Sequence, residues 1–385
     1  MTKASKISLQ IPVGRGRINL KWKGFQIDNP TTERGVEPLT IKDIARESGY
    51  AVGTVSRALN NHPNVSPAAR EKILKIVKRH GFQPNANARR LKQQASNSVA
   101  VIVRGTRNVL FAGLVETIQT MVEDKGYSVI VSYQGEDGDE VAAARTLRTE
   151  RKPLGVLFLG GNRENFRRGA EQVDCPCVAV TVPAGDLELA NLSSVSTDDR
   201  LGAKAAVEYL LDAGHREIGV IGGERAAPDA ENLGGNTSQM RFEGCCEAFR
   251  ARGLSFDLDK QSVMTRYSLQ GGYEGAKALL ERQSGLTALF AMSDVMAIGA
   301  MRAIGDRGLR VPEDISVVGY DGIELGRYCT PRLTSIRQDG EALARRGAEI
   351  LLDCIENSAP CVHEVIPFRL VEGESVARRE NSEKA

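Results

Sequence analysis

Seven short apolar runs, most of them followed by a stretch with helical periodicity, constrain the fold of this chain more than any other feature. The runs are VAVIV, YSVIVSY, GVLFL, CVAVTV, EIGVIGG, ALFAM and ISVVGYD. Short continuous apolar runs are typical of parallel strands that are buried on both faces. Helical patterns lie between most of them, at 111–125, 201–213, 240–252 and 295–308. The alternation predicts an α/β domain at 97–375 with doubly wound parallel sheets, long enough for two lobes and a cleft.

Three short helices are predicted before this domain, within 39–83. Thr40 is a favourable N-cap for the first helix, which Gly49 ends. After a tight turn, 52–59 form a second helix, and Ser66, followed by proline, caps a third. Three helices with the first two joined tightly indicate an all-α helix-turn-helix head.

Charge is divided unevenly along the chain, which has a formal net charge of +2. Residues 1–95 carry +12 and residues 96–385 carry −10. A basic head on an acidic body indicates a polyanionic partner such as nucleic acid. Residues 1–38 mix glycine, proline and basic residues without periodicity, so we expect a disordered extension there, and 376–385 form a polar tail.

Several classes of protein are disfavoured by what the sequence lacks. No apolar run reaches the roughly 20 residues of a membrane span, and no secretory signal precedes the head, which predicts a cytoplasmic protein. Seven cysteines without a CxxC pair and four separated histidines predict neither disulfides nor a metal site. No G-x-G-x-x-G follows the first strand and no catalytic triad stands out, so we expect neither an enzyme nor a cofactor.

A family resemblance rests on two unlike regions of the chain. The segment LTIKDIARESGYAVGTVSRALNNHPNVSPAAREKILKIVKRHGFQPNANARRLK at 39–92 resembles the DNA-binding head and hinge of LacI/GalR repressors. The resemblance continues to about residue 375 through HREIGVIGG, RFEG, FAMSDVMAIGAMRAI and RVPEDISVVGYDG. It implies a transcription regulator, with 84–96 as hinge helix and linker. It further implies a homodimer on a near-palindromic double-stranded operator, under allosteric control by a small metabolite, most simply a sugar.

Operator contacts follow from the second helix, whose first residues enter the major groove in this motif. Val52 and Gly53 stand there, and Arg57, one turn on, can bond a guanine edge in bidentate fashion. The resemblance makes Leu91 the wedge residue of the hinge. Further DNA contacts are expected at Thr40, Thr54, Ser56, Asn60, Ser66, Ala88 and Lys92. The alternatives are a solvated arginine, ordinary helix caps and a plain linker.

Effector contacts are expected at the carboxyl ends of the strands, as in other doubly wound folds. The resemblance assigns ring stacking to Phe111, a ligand-binding guanidinium to Arg241 and an acidic contact to Asp321. Further contacts are expected at Asn108, Thr181, Thr237, Tyr267, Ser293 and Asp294. Phe111 can equally belong to the core, and Asp294 can cap the following helix.

Ligand identity stays open at this stage, because Thr181 stands where some sugar-binding relatives carry aspartate. A nucleoside, a purine or a sugar phosphate is the alternative to a sugar. A sugar-binding transport protein would share the two-lobed body, but it would need an export signal and no DNA-binding head.

Overall fold

The computed structural model describes residues 12–13, 16–17, 40–59, 65–80, 82, 97–105, 108–223 and 237–379. By its contacts the chain divides into two compact units, 1–92 and 93–385. Within the expected disordered extension, strands β1 (Pro12–Val13) and β2 (Gly16–Arg17) pair in antiparallel fashion.

Unit 1 contains the three predicted helices, α1 (Ile41–Ser48), α2 (Val52–Leu59) and α3 (Pro67–Arg79). Their ends have the expected chemistry: Thr40 N donates to the Asp43 carboxylate at 2.9 Å, and Ala69 N donates to Ser66 Oγ at 3.3 Å. Gly49 ends α1 with a φ of 76°, which glycine adopts without steric cost. The helices enclose a core of Ile44, Ala45, Val55, Ala58, Val65, Ala69, Ile73 and Ile76. Leu74, also in α3, lies outside this core and is 45% exposed.

Unit 2 contains two six-stranded sheets, and each sheet forms the centre of one lobe. The first half of the unit contributes β3 (Ser98–Arg104), α4 (Leu110–Asp124), β4 (Ser128–Gln134), α5 (Glu140–Arg151), β5 (Gly155–Leu159), α6 (Arg163–Gly169), β6 (Cys177–Val180) and β7 (Leu192–Ser196). The second half contributes α7 (Asp199–Asp212), β8 (Ile218–Gly222), α8 (Thr237–Ala251), α9 (Leu258–Gln261), β9 (Ser262–Met264), α10 (Leu269–Arg282), β10 (Ala288–Ala291), α11 (Asp294–Asp306), β11 (Ser316–Asp321), β12 (Thr334–Arg337), α12 (Gly340–Asn357), β13 (His363–Val365) and β14 (Arg369–Val371).

Strand order confirms the doubly wound architecture. The first lobe has the order β13-β7-β6-β5-β3-β4, and all of its neighbouring strands are parallel. The second lobe has the order β14-β12-β11-β10-β8-β9, in which only β14 runs antiparallel to its neighbour. In each sheet the first strand lies between the second and the third, so the order reverses beside β3 and beside β8. Such reversals create a crevice at the carboxyl ends of the strands.

Burial on both faces explains the apolar runs. In β3, Val99, Val101 and Val103 face one helical layer, while Ala100 and Ile102 face the other, and all five are at most 1% exposed. Among the described residues no helix is long and apolar enough to cross a membrane.

The last described residues, expected as a polar tail, pack against the second lobe. Ala377 N donates to Ser316 Oγ at 3.0 Å, and Arg379 N donates to the carbonyl oxygen of Ala213 at 2.7 Å. Gly214 makes this possible, because a Cβ there would lie 2.2 Å from the Arg379 carbonyl oxygen.

Candidate functional site

A cavity of about 200 Å³ lies between the carboxyl edges of the two sheets. Its walls are formed by residues that follow strands of both lobes, which is where the strand order predicts a ligand site. Of the nine expected effector contacts, seven line it: Asn108, Phe111, Thr181, Thr237, Arg241, Tyr267 and Asp321.

Arg241 is the centre of the charged side of the cavity. It lies in α8 with a side chain only 4% exposed, and its Nε donates to Asp199 Oδ1 at 2.8 Å. Its Nη1 donates to the carbonyl oxygen of Met292, and its Cζ lies 3.7 Å from the centre of the Tyr320 ring. Burial would disfavour the charged guanidinium, but the surrounding carboxylates raise the pKa of Arg241. The charge of the cation is therefore balanced by carboxylates inside the protein.

Asp321 joins the two lobes at the end of β11. Its carboxylate accepts hydrogen bonds from Gln338 Nε2 at 2.8 Å and from Asn108 Nδ2, in the other lobe, at 3.2 Å. Arg241 Nη2 lies 3.8 Å from Asp321 Oδ1. Burial raises the pKa of Asp321 to about 6, although Arg241 and the two amides oppose the shift. The carboxylate is thus held close to its protonation point at neutral pH.

The opposite wall of the cavity presents an aromatic ring. A Cβ on Gly160 would lie 2.9 Å from Phe111 Cζ, so the ring packs directly on the backbone after β5. Gly160 also has a φ of 70°, a conformation that side chains rarely adopt. Phe111 is only partly buried and lines the cavity, although it also packs against the core of the first lobe. Both interpretations of Phe111 therefore describe part of its environment.

Ser293 and Asp294, the other two expected contacts, do not line the cavity. Ser293 caps α11, with Met296 N donating to its Oγ at 3.3 Å. Asp294 faces the turn after β11, where it accepts from Ile323 N at 2.7 Å and from Ser335 Oγ at 2.5 Å. Both side chains are at most 1% exposed. Their position directly after β10 suggested a ligand role, but the fold directs them into the protein.

Several lining residues were not among the expected contacts: Arg104, Glu136, Asn162, Ser238 and Gln338. Three of them follow β3, β4 and β5 in the first lobe, so taking the polar residue at or after each strand would have found them. Gln338 follows β12, whose sequence TSIR is too polar to be recognised as a buried strand. Asp198 and Asp199 stand together at the start of α7. Asp198 caps the helix by accepting from Leu201 N at 2.9 Å, whereas Asp199 binds Arg241.

In unit 1 the expected base-reading residues lie on α2. Val52 is 37% exposed, and Gly53 and Arg57 are also exposed. Arg57 Nε donates back to the carbonyl oxygen of Gly53 at 3.2 Å. Thr40 and Ser66 are helix caps, Thr54 and Ser56 are partly buried on α2, and Asn60, Ala88, Leu91 and Lys92 lie outside the described residues.

Metal chemistry finds no support in the part of the chain that the structure describes, since no group of three or more His, Cys, Asp or Glu side chains there could hold an ion. All seven cysteines are free thiols.

Comparisons with known proteins agree with both units. Residues 40–85 match the family described as bacterial regulatory proteins, lacI family, and residues 207–376 match a periplasmic binding protein-like domain. A solved structure of a CelR transcriptional regulator in complex with cellobiose is similar to 88% of this chain and 99% of that chain, with a TM-score of 0.64 and 28% identity.

Relatives of known function are similar over nearly their whole length. The chain is 33% identical over 342 residues to the HTH-type transcriptional regulator MalR of Clostridium butyricum, covering 88% of this chain and 99% of MalR. It is 32% identical over 319 residues to the ribose operon repressor of Haemophilus influenzae, covering 83% and 92%. These relatives are transcription regulators and not enzymes. The chain therefore belongs to the lacI family of bacterial regulatory proteins.

Proposed function

We propose that this regulator is a cytoplasmic homodimer that represses transcription, and that a neutral sugar in the unit 2 cavity changes its affinity for a near-palindromic operator. The ribose operon repressor and the cellobiose complex of CelR support a sugar. The observation that carries the proposal is the hydrogen bonding of Arg104 and Arg241, the arginines among the described residues that line the cavity.

Both arginines already donate hydrogen bonds to acceptors within the protein. Arg241 pairs with Asp199, and Arg104 Nε donates to the carbonyl oxygen of Gly138 at 3.2 Å and lies 3.4 Å from Glu140 Oε2. Each arginine also donates from one terminal nitrogen, Arg241 to the carbonyl oxygen of Met292 and Arg104 to that of Glu136. One nitrogen of each guanidinium is left, whereas a bidentate contact with phosphate or carboxylate uses two. With Asp321 also in the wall, the cavity favours a neutral ligand over a sugar phosphate or a sugar acid.

The remaining wall suits a ring that carries several hydroxyl groups. Carboxylate oxygens of Asp321 accept hydrogen bonds, and the amides of Asn108, Asn162 and Gln338 can both donate and accept. Phe111 offers an apolar face to the C–H side of the ring. The volume of about 200 Å³ is below the roughly 300–1,000 Å³ of pockets for drug-sized ligands. We therefore infer a monosaccharide, for which these groups provide both polar and apolar contacts.

Regulation follows from the position of the ligand between lobes. A sugar that binds Asn108 and Asp321 together favours the arrangement in which these side chains are close, and disfavours any other. It can change operator affinity only by its own preference between arrangements, typically about 1–3 kcal/mol, or roughly 5- to 150-fold.

A binding panel tests this proposal directly. Purified protein would be titrated with D-ribose, D-glucose, D-galactose and D-fructose, and separately with glucose 6-phosphate, D-glucuronate, guanine and guanosine, by calorimetry. At least one neutral sugar is expected to bind and to shift operator affinity in a gel-shift assay with DNA selected from a random pool. Binding confined to the anionic sugars, or to the purines, would contradict the neutral-sugar assignment.

Arg57→Ala tests the assignment of α2 as the base-reading helix. Loss of a bidentate guanine contact is expected to reduce the preference for selected operator over scrambled DNA by roughly 5- to 150-fold, corresponding to about 1–3 kcal/mol. Gel-shift titrations on both DNAs measure that preference. Arg46→Ala, on α1, removes a side chain that is 81% exposed and serves as the control. Equal losses on both DNAs for Arg57→Ala would show that this arginine does not contact bases.

A further inference from the structure

Asp294 is a buried carboxylate that the proposed ligand contacts do not include. It is the first residue of α11 and is 1% exposed. Its Oδ2 accepts from Ile323 N at 2.7 Å, and its Oδ1 accepts from Ser335 Oγ at 2.5 Å. Burial and the nearby Asp321 raise the pKa of Asp294 well above its usual range, and these two hydrogen bonds oppose the shift.

The turn that Asp294 binds has an unusual backbone. Asp321 has a φ of 111° and Gly322 a φ of 70°, so two consecutive residues lie in the region that favours glycine. A non-glycine residue in such a conformation persists only where its surroundings over-determine it. The hydrogen bond from Ile323 N to Asp294 supplies such a constraint, two residues after the strained Asp321.

Two carboxylates therefore lie on opposite sides of the same turn. Asp321 faces the cavity, where it accepts hydrogen bonds from Gln338 and Asn108. Asp294 does not line the cavity and accepts a hydrogen bond from the backbone of the turn. The sequence leaves room for this arrangement at Gly319 in β11, because a Cβ there would lie 2.2 Å from Asp294 Oδ1. Aligning Asp321 thus requires both the glycine and the second carboxylate.

We propose that Asp294 is a positioning residue for the effector site, which fixes the strained turn after β11 and thereby aims the Asp321 carboxylate into the cavity. We call the hydrogen bonding of Asp294 to this turn the clamp. Its effect on ligand affinity rests on the proposed function, whereas the clamp itself can be tested without any ligand.

Hydrogen exchange tests the clamp in the ligand-free protein. Asp294→Ala removes both acceptor oxygens, so the amide of Ile323 is expected to lose at least tenfold of its protection. Asp294→Asn keeps the shape and one acceptor oxygen, so an intermediate loss is expected, and this variant replaces the alanine variant if that does not fold. Ser293→Ala is the matched control, since it removes a buried hydrogen bond one residue away that serves only the helix cap. Unchanged protection at Ile323 in Asp294→Asn or Asp294→Ala would overturn the proposal.

A second measurement separates positioning from a purely structural role. Glycine adopts a φ of 111° without strain, so in an Asp321→Gly background the clamp has no strained residue to hold. Because Asp321 also repels Asp294, the comparison is an Asp321→Ala background, which removes the same charge but keeps a Cβ. The shift in the urea midpoint caused by Asp294→Asn is expected to be smaller in the glycine background than in the alanine background. Equal shifts would mean that Asp294 only stabilises the fold, and would overturn the positioning role.

The sugar panel links the clamp to ligand binding. Any neutral sugar that binds the wild type is expected to bind Asp294→Asn at least tenfold more weakly and Ser293→Ala with affinity within twofold of wild type. If no sugar of the panel binds the wild type, the proposed function fails while the exchange experiment still decides the clamp. If a sugar binds both variants equally, the positioning role fails while the proposed function stands.

Discussion

Arg241→Ala is expected to lower the free energy of unfolding by about 3–5 kcal/mol at pH 7.5 and to abolish the response to effector. The substitution removes the cation that pairs with Asp199 and Asp321, both only 2% exposed, and leaves their charges buried without a partner. Breaking a buried ion pair by removing one member costs this much because desolvation of the other is no longer offset. Urea denaturation followed by circular dichroism measures the stability.

The pH dependence of that loss identifies its cause. Without the guanidinium, the folded-state pKa of both carboxyl groups rises further above the unfolded value near 3.8. A raised carboxyl pKa contributes stability at low pH that is lost as pH rises through it. The deficit of Arg241→Ala relative to wild type is therefore expected to be smaller at pH 5 than at pH 7.5. A deficit that does not change with pH would point to lost packing rather than unpaired charge.

Two further variants act as controls for Arg241. Arg250→Ala removes an exposed arginine from the same helix and is expected to change stability by less than about 0.5 kcal/mol. The double variant Arg241→Met with Asp199→Leu removes the ion pair and leaves apolar side chains, so it is expected to recover part of the stability. It should still fail to respond to effector, which separates the folding role of Arg241 from its role in binding.

The free energy of unfolding of the wild type is expected to fall between pH 7 and pH 5 by about 2 kcal/mol more than that of a His215→Gln variant. The ring is 1% exposed, its Nε2 donates to the carbonyl oxygen of Ala377 at 3.1 Å, and its Nδ1 lies 3.0 Å from Thr287 Oγ1. Burial, together with the nearby Arg379 and Arg216, lowers the pKa of His215 from 6.5 to about 4. Its stabilising contribution is therefore fully present above pH 6.5 and is lost as pH falls toward 4.

Comparison with the glutamine variant isolates this effect. The raised pKa of Asp321, about 6, acts in the opposite direction over the same range, but it is common to both proteins and cancels in the difference. His363→Gln, at an exposed residue in the first lobe, tests whether any histidine gives the same result. Parallel pH profiles for wild type and His215→Gln would show that the ring does not anchor the C-terminal segment in its neutral form.

Prediction of the fold from sequence succeeded where burial is uniform. Strands such as β3 and β5 are covered by helices on both faces, so their residues had to be apolar without interruption and were recognised from that pattern. The strand β7, with the sequence LSSVS, is equally buried but uses serines whose hydroxyls bond neighbouring segments. Its pattern resembles a loop, and only the assembled sheet identifies it as a strand. The edge strands β13 and β14 are too short for any periodicity.

Prediction of the candidate site had a similar limit. Motif positions after the strands indicated Arg241, Asp321 and Phe111, which the fold brings to one cavity. The sequence pattern could not distinguish a side chain that lines the cavity from one that points into the packed interior. Asp294 and Asp199 are examples of the second kind. The direction depends on partners far apart in sequence, such as Ile323 and Ser335 for Asp294.

The sequence by itself determined the order of the elements, the helix-turn-helix head, the doubly wound body and the carboxyl-edge location of the polar residues. Local propensity and hydrophobic periodicity carry that information, because each depends on residues close together in the chain. Tertiary structure alone decided that the charge of Arg241 is balanced by Asp199 and Asp321, and that Asp294 accepts hydrogen bonds beside the turn that carries Asp321. Those roles depend on burial and on long-range hydrogen-bond partners, which exist only once the two lobes have formed.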